Sequence, residues 1–344
     1  MRKLKPSTAA AIAGSSAFAA AAAKTWIRSF GARPLSLNRK VVLITGGSRG
    51  LGFALAKDFG SRGARLALCA RDSGELDRAC RLLASEGVEC AAFPCDITDR
   101  TAIEPLIHSV LARFGEIDVL VNDAGSIQVG PYENFELADY ERTMDLMFWA
   151  PVQLTFALLP HMRNRGSGAI VNITSVGGRV SIPHLLPYSC AKFAFVAFST
   201  GLASELRQHS VNVLTVVPGL MRTGSYLNAK FKGQQTREFA LFSLLGNTPG
   251  FSVAAEYAAR TIRRALENRR LTCTISLPAK LLIALEALLP ETTRSMMALS
   301  TGFLPEPSED NNWADGKALN AKFPAIFHAL TKLGRSTATR LNET

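Results

Sequence analysis

From residue 40 onward, short apolar runs alternate with stretches in which apolar positions recur every three or four residues. The runs VVLIT (41–45), ARLALCA (64–70), CAAFPCD (90–96), IDVLVND (117–123), AIVNIT (169–174), VNVLTVVP (211–218) and LTCTISL (271–277) predict seven strands. Continuous rather than alternating apolarity suits strands covered on both faces. Between them, helical spacing predicts helices over 51–62, from Asp72 or Ser73, and over 103–114, 137–160, 188–208 and 254–267. Such alternation predicts parallel βαβ units: an α/β fold with a doubly wound parallel sheet of the Rossmann type. Ligands of such sheets bind beyond the C-terminal strand ends, where the strand order reverses.

Two regions break the rhythm. Residues 224–250 carry Tyr226, Leu227, Phe231, Phe239, Phe242 and Leu244, which read either as a substrate lid or as packed surface helices. After Pro278 the run KLLIALEALL (280–289) predicts an apolar helix, followed by a polar tail rich in Asn, Ser and Thr. The expected division is therefore a leading segment over 1–37, a sheet domain over 38–278 and a helical extension over 279–344.

Composition adds limits. With 47% hydrophobic and 19% charged residues, the chain is that of a globular protein with a large core. Its net charge of +11 raises the question of nucleic acid, but eight basic residues and no acid fall within the first forty positions. The remainder is nearly balanced and holds no nucleic-acid motif, so that partner class is set aside. The basic start MRKLK leads into the Ala-rich run 9–23, which fits a signal peptide, a transit peptide or an interfacial anchor. A cytoplasmic protein is expected, with membrane association through this segment left open. Six cysteines without a CxxC pair predict buried free thiols. Five histidines without ligand spacing predict no metal, and the lack of a GxSxG elbow disfavours serine hydrolysis.

Two motifs carry chemistry. Thr45-Gly46-Gly47-Ser48-Arg49-Gly50-Leu51-Gly52 lies between the first strand and its helix. There glycine lets a pyrophosphate approach the backbone, and the helix N-terminus offers free N–H groups. Tyr188 and Lys192 lie one helical turn apart on a shared face, with Ser175 at the end of the fifth strand. A phenol beside an ammonium is a proton donor or acceptor for a carbonyl or alcohol, because the cation favours the phenolate.

These motifs, in this order, resemble the TGxxxGxG and YxxxK signatures of the classical short-chain dehydrogenase/reductase family; the resemblance runs from about Lys40 to Pro278. It implies hydride transfer between a nicotinamide dinucleotide and a carbonyl or alcohol. Tyr188 would be the acid/base, Lys192 would also hold the nicotinamide ribose, and Ser175 would orient the substrate oxygen. It further implies that Asp96 and Ile97 meet the adenine, that Asn122, Ala124 and Gly125 flank the cofactor, and that Pro218, Gly219, Met221 and Thr223 hold the nicotinamide end. The second strand ends in Ala70 rather than an acid and is followed by Arg71; with Arg49 this favours NADP(H) over NAD. A homodimer or homotetramer follows from the resemblance alone.

Two positions depart from the family pattern. Asp123 stands where the family has a second Asn, and Met147 where a catalytic Asn usually stands. Pro151 cannot donate to the Met147 carbonyl and is expected to free that oxygen in the missing residue's stead. The apolar residues of 224–250 and the 280–289 helix suggest a lipophilic substrate. A protein that binds NADP(H) with little catalysis, as a sensor or scaffold, is the competing reading.

Overall fold

The structure is a computed structural model and describes residues 34–343. The expected targeting or anchoring role of residues 1–37 falls mostly outside the described residues. The seven predicted strands all form: β1 (Val41–Thr45), β2 (Arg65–Ala70), β3 (Cys90–Pro94), β4 (Val119–Asn122), β5 (Gly168–Ile173), β6 (Val211–Pro218) and β7 (Thr272–Ile275). They make one parallel sheet in the order β7-β6-β5-β4-β1-β2-β3. The order reverses between β1 and β4, the switch point at which a cofactor crevice opens. All residues of β1, β4, β5 and β6 are buried, as their unbroken apolarity requires.

Helices cover both faces. One core packs α1 (Gly50–Gly60), α2 (Ser73–Ser85) and the later helix Ala255–Glu267 against the sheet, through Phe53, Phe59, Leu76 and Ile262. The other packs α3 (Ile103–Phe114) and the helices after it through Val110, Leu154 and Leu202. Asp72 caps α2 by accepting the Glu75 N–H at 2.8 Å, as its position predicts.

The helix expected over 137–160 is interrupted. It runs as α4 (Leu137–Met144), a π-helical turn at Asp145–Trp149, and α5 (Ala150–Arg165). Pro151 sits in the first turn of α5, where a missing N–H costs least, and the widened turn precedes it. Then follow α6 (Leu186–Glu205), α7 (Gln235–Asn247), α8 (Ala255–Glu267), α9 (Leu277–Leu288) and α10 (Pro290–Ser300). Most of α9 is exposed, with Leu281 and Leu288 facing outward, and no described helix is long and apolar enough to cross a membrane.

The segment read as a polar tail folds back instead. Ala314–Asp315 pairs with Lys230–Phe231, which also pairs with Gln128–Val129. Helix α11 (Lys332–Arg340) lies near α7, and Phe327 and Ala338 join Tyr226, Phe231 and Phe239 in a third hydrophobic cluster. A buried ion pair, Lys232 Nζ to Asp139 at 2.8 Å, ties this layer to α4. Apolar residues of 224–250 thus serve as the core of a small second layer. The thiols are all free, but Cys190 is exposed and Cys80, Cys90 and Cys95 half-buried, so only Cys69 and Cys273 meet the expectation of burial. Cys190 faces solvent because its helix presents that side outward, between buried Ser189 and Ala191.

Candidate active site

A cavity of about 1440 Å³ opens at the C-terminal ends of the strands. Its floor is the turn after β1. Gly46 and Gly50 adopt left-handed backbone (φ +68 and +58), which only glycine adopts without strain. A Cβ on Gly52 would stand 2.2 Å from the Gly46 carbonyl oxygen and 2.9 Å from Asp123 Oδ2, so that position admits no side chain. Thr45 Oγ1 accepts the N–H groups of Asp123 (3.2 Å) and Ala124 (3.3 Å) and so joins the two strands of the switch point. The arrangement fits a dinucleotide: glycine-bare backbone leads into a helix N-terminus at the cavity floor, the setting in which phosphate is held.

The predicted site residues divide into two sets. Gly46, Ser48, Arg49, Gly50 and Leu51 line the cavity, with Arg71, Asp96 and Ile97 at one end. Ala124, Gly125, Ser175, Tyr188 and Lys192 line its middle, and Pro218, Gly219, Met221 and Thr223 its other flank. Thr45, Gly52 and Asn122 lie beneath the surface instead. The Asn122 amide donates to Asn172 Oδ1 at 2.9 Å, and Asn172 donates to Ser199 at 3.0 Å, so this side chain braces β4 against β5 and α6. Arg49 and Ser48 are both engaged by Glu75, at 2.7 and 3.1 Å. Arg71 is exposed and has no ion-pair partner among the described residues.

At the middle, β5 delivers Ser175 and α6 delivers Tyr188 and Lys192. The Ser175 oxygen accepts the Gly177 N–H at 3.0 Å and hydrogen-bonds the Tyr188 phenol. The Lys192 ammonium donates to the Ile173 carbonyl at 2.8 Å and lies 5.9 Å from the Tyr188 ring centre. Burial pushes the Lys192 ammonium down to about 8, while Asp123 pulls it back up. Burial also raises the phenol above its ordinary value, the Ser175 hydrogen bond opposing this. The sequence reading expected the ammonium to lower the phenol. Instead desolvation is the largest cause and the neighbouring Asp123 charge adds to it, so the phenol rises. Asp123 sits on the floor beside the Gly52 N–H, its carboxyl pushed up to about 7 by burial against the attraction of Lys192.

Other lining residues carry no signature in the sequence. His184 Nδ1 and Glu238 Oε1 are 2.6 Å apart, linking the loop before α6 to α7 inside the cavity. Glu343 also lines it. Among the described residues no group of His, Cys, Asp and Glu is placed to hold a metal ion.

The sequence model of the short chain dehydrogenases matches residues 40–232, more than half of the chain. The chain belongs to the short-chain dehydrogenase family. A fatty acyl-CoA reductase of Acinetobacter baylyi is 37% identical over 186 residues, covering 54% of this chain and 63% of that relative, less than two thirds of its length. A short-chain dehydrogenase structure from Streptomyces avermitilis superposes with a TM-score of 0.64 at 33% identity, covering 78% of this chain and 97% of that one. A metagenomic short-chain oxidoreductase solved with NADP gives a TM-score of 0.56 at 28% identity, over 70% of this chain and 97% of that one. The chain is therefore an oxidoreductase of this family, with the family's seven-stranded Rossmann sheet.

Proposed function

We propose that the chain is an NADP(H)-dependent carbonyl reductase, or the reverse alcohol dehydrogenase, acting on a lipophilic small molecule. The observation that carries this reading is the convergence of the Ser175 hydroxyl, the Tyr188 phenol and the Lys192 ammonium in the cavity floored by the glycine turn. When bound, the nicotinamide ring would supply or accept the hydride. Tyr188 then gives its proton to the oxygen that gains negative charge, and its raised pKa keeps that proton in place at neutral pH. Reduction is the direction such an acid serves. Ser175 orients and hydrogen-bonds the same oxygen. Lys192 offers the ribose hydroxyls a buried cation and stabilises the phenolate left behind.

The preference for NADP(H) rests on Arg71 at the cavity edge and on the lack of an acid at Ala70. Guanidinium groups suit a 2′-phosphate. The relative solved with NADP agrees. A lipophilic substrate is favoured by Leu185, Leu227, Leu241, Phe242 and Leu282 in the cavity wall, and by the relative named a fatty acyl-CoA reductase. Exposed Trp149, Phe156 and Phe193 on the π turn, α5 and α6 suit a homodimer or homotetramer face. Exposed Leu281, Leu288 and Phe303 near the cavity suit approach to a membrane surface.

The test follows reduced-nicotinamide absorbance with NADPH or NADH against a panel of long-chain aldehydes and apolar ketones. Turnover with NADPH faster than with NADH is expected. Tight NADPH binding without turnover of any carbonyl would favour the sensor reading instead.

A further inference from the structure

The last described residues, Leu341, Asn342 and Glu343, lie in the glycine turn itself. The Gly50 N–H, the first of the helix N-terminus, donates to the Leu341 carbonyl at 3.0 Å. The Asn342 amide donates to the Ser48 carbonyl at 2.8 Å and to that of Glu75 at 3.1 Å. The Glu343 carboxyl accepts the Gly224 N–H at 2.9 Å and the Asn228 amide at 2.9 Å. Its Oε1 lies 2.9 Å from where a Cβ on Gly50 would stand, and its Oε2 2.5 Å from the same point on Gly224. Glu343 is 3% exposed. A carboxyl therefore bridges the turn after β1 and the loop after β6, the two segments between which the cofactor's phosphates belong.

We propose that residues 341–343 are a built-in rival of the dinucleotide phosphates, a plug that must leave the glycine turn before the cofactor can seat. The inference rests on the reading of that turn as a dinucleotide cradle. Its chemistry is substitution of one set of acceptor oxygens for another, the Leu341 carbonyl on the Gly50 N–H and the Glu343 carboxyl, pushed up to about 7 by burial, on the Gly224 N–H. A helix N-terminus offers its first N–H groups to a backbone carbonyl or to a phosphate oxygen alike. One N–H hydrogen cannot serve both, and the space beside a glycine Cα holds one oxygen set. Arg49 and Lys317 add positive charge that either anion would use. Helix α11 stays docked through Ala338 on the aromatic cluster of Tyr226, Phe239 and Phe327, so only the residues past its end need to move. Leu341, buried beside the first core, anchors the plugged state.

A plug lowers the fraction of molecules able to bind and weakens the apparent affinity by that fraction. The experiment measures NADPH binding by the full chain, without substrate, through quenching of tryptophan emission. Glu343→Ala should tighten the apparent Kd at least about tenfold, or about 1.4 kcal/mol of docking free energy. Glu343→Gln, which keeps the acceptor for Gly224, should tighten it less. Hydrogen exchange supplies the second arm on the unaltered protein: NADPH should speed exchange at residues 339–343 while slowing it at 46–52. An unchanged or weaker Kd in Glu343→Ala, or protection of 339–343 by NADPH, overturns the plug and makes the segment part of the cofactor's own grip. Failure of both the unaltered protein and Glu343→Ala to bind NADPH or NADH overturns the cradle reading, and the plug with it.

Discussion

At single residues, the site is governed by how burial and charge divide between Asp123 and Lys192. Each holds the other's charged form against desolvation: Asp123 still rises to about 7 and Lys192 still falls to about 8. Replacing Asp123 with Asn removes the attraction that keeps Lys192 protonated, so its proton leaves at lower pH. The alkaline limb of the pH–rate profile for kcat/KM should then move to lower pH; an unmoved limb would contradict the pairing. Stability has its own sign. The Asp123 pKa is raised above an unfolded value of about 3.9, so its contribution is present at low pH and is lost as pH rises through about 7. Asp123→Asn should therefore lose less Tm than the parent across that window. The glycine positions were legible because close approach forbids a Cβ, and Tyr188 and Lys192 because one helical turn fixes their common face. The raised phenol was not legible, since it depends on how deeply the fold buries Tyr188 and on the Asp123 carboxyl that β4 brings near it.

Among the elements, strands were the easiest to read. Burial on both faces writes itself as unbroken apolar runs, and β1 and β6 form with the bounds the runs predict. The π turn at Asp145–Trp149 was not visible as such: Pro151 signals only a missing donor, and the chain takes it up by widening the preceding turn. The small second layer was equally hidden, because Phe231 and Phe239 find Phe327 and Ala338 only after the chain returns from α10. Lys232 and Asp139 pin that layer to α4, exposed 2% and 0%. Removing Asp139 leaves buried Lys232, among the described residues, with only the Glu136 carboxylate, 4.0 Å away, as an ion-pair partner, and takes the N-cap bond from α4. Asp139→Ala should cost about 3–5 kcal/mol in denaturant unfolding. A cost below about 1 kcal/mol, the scale of a surface pair, would show that Lys232 finds the Glu136 carboxylate or the Trp313 ring as a substitute.

For the molecule as a whole, one sheet gathers residues from β1, β5, α6 and the loop after β6 at a single edge, and the folded-back segment closes over them. The fold class and the site's position at the strand ends followed from the alternation of elements. The presence of Glu343 in that site did not, because a tail rich in Asn, Ser and Thr carries no local signal of its destination. The central claim is that Tyr188 delivers the proton while hydride moves within the same cavity. Its most direct test is single-turnover oxidation of NADPH by the unaltered protein and by Tyr188→Phe, with a carbonyl that the panel identifies and with both proteins saturated in cofactor. The account predicts a rate lower by about 10²–10⁴-fold in Tyr188→Phe, with the NADPH Kd unchanged. Equal rates in the two proteins would contradict it.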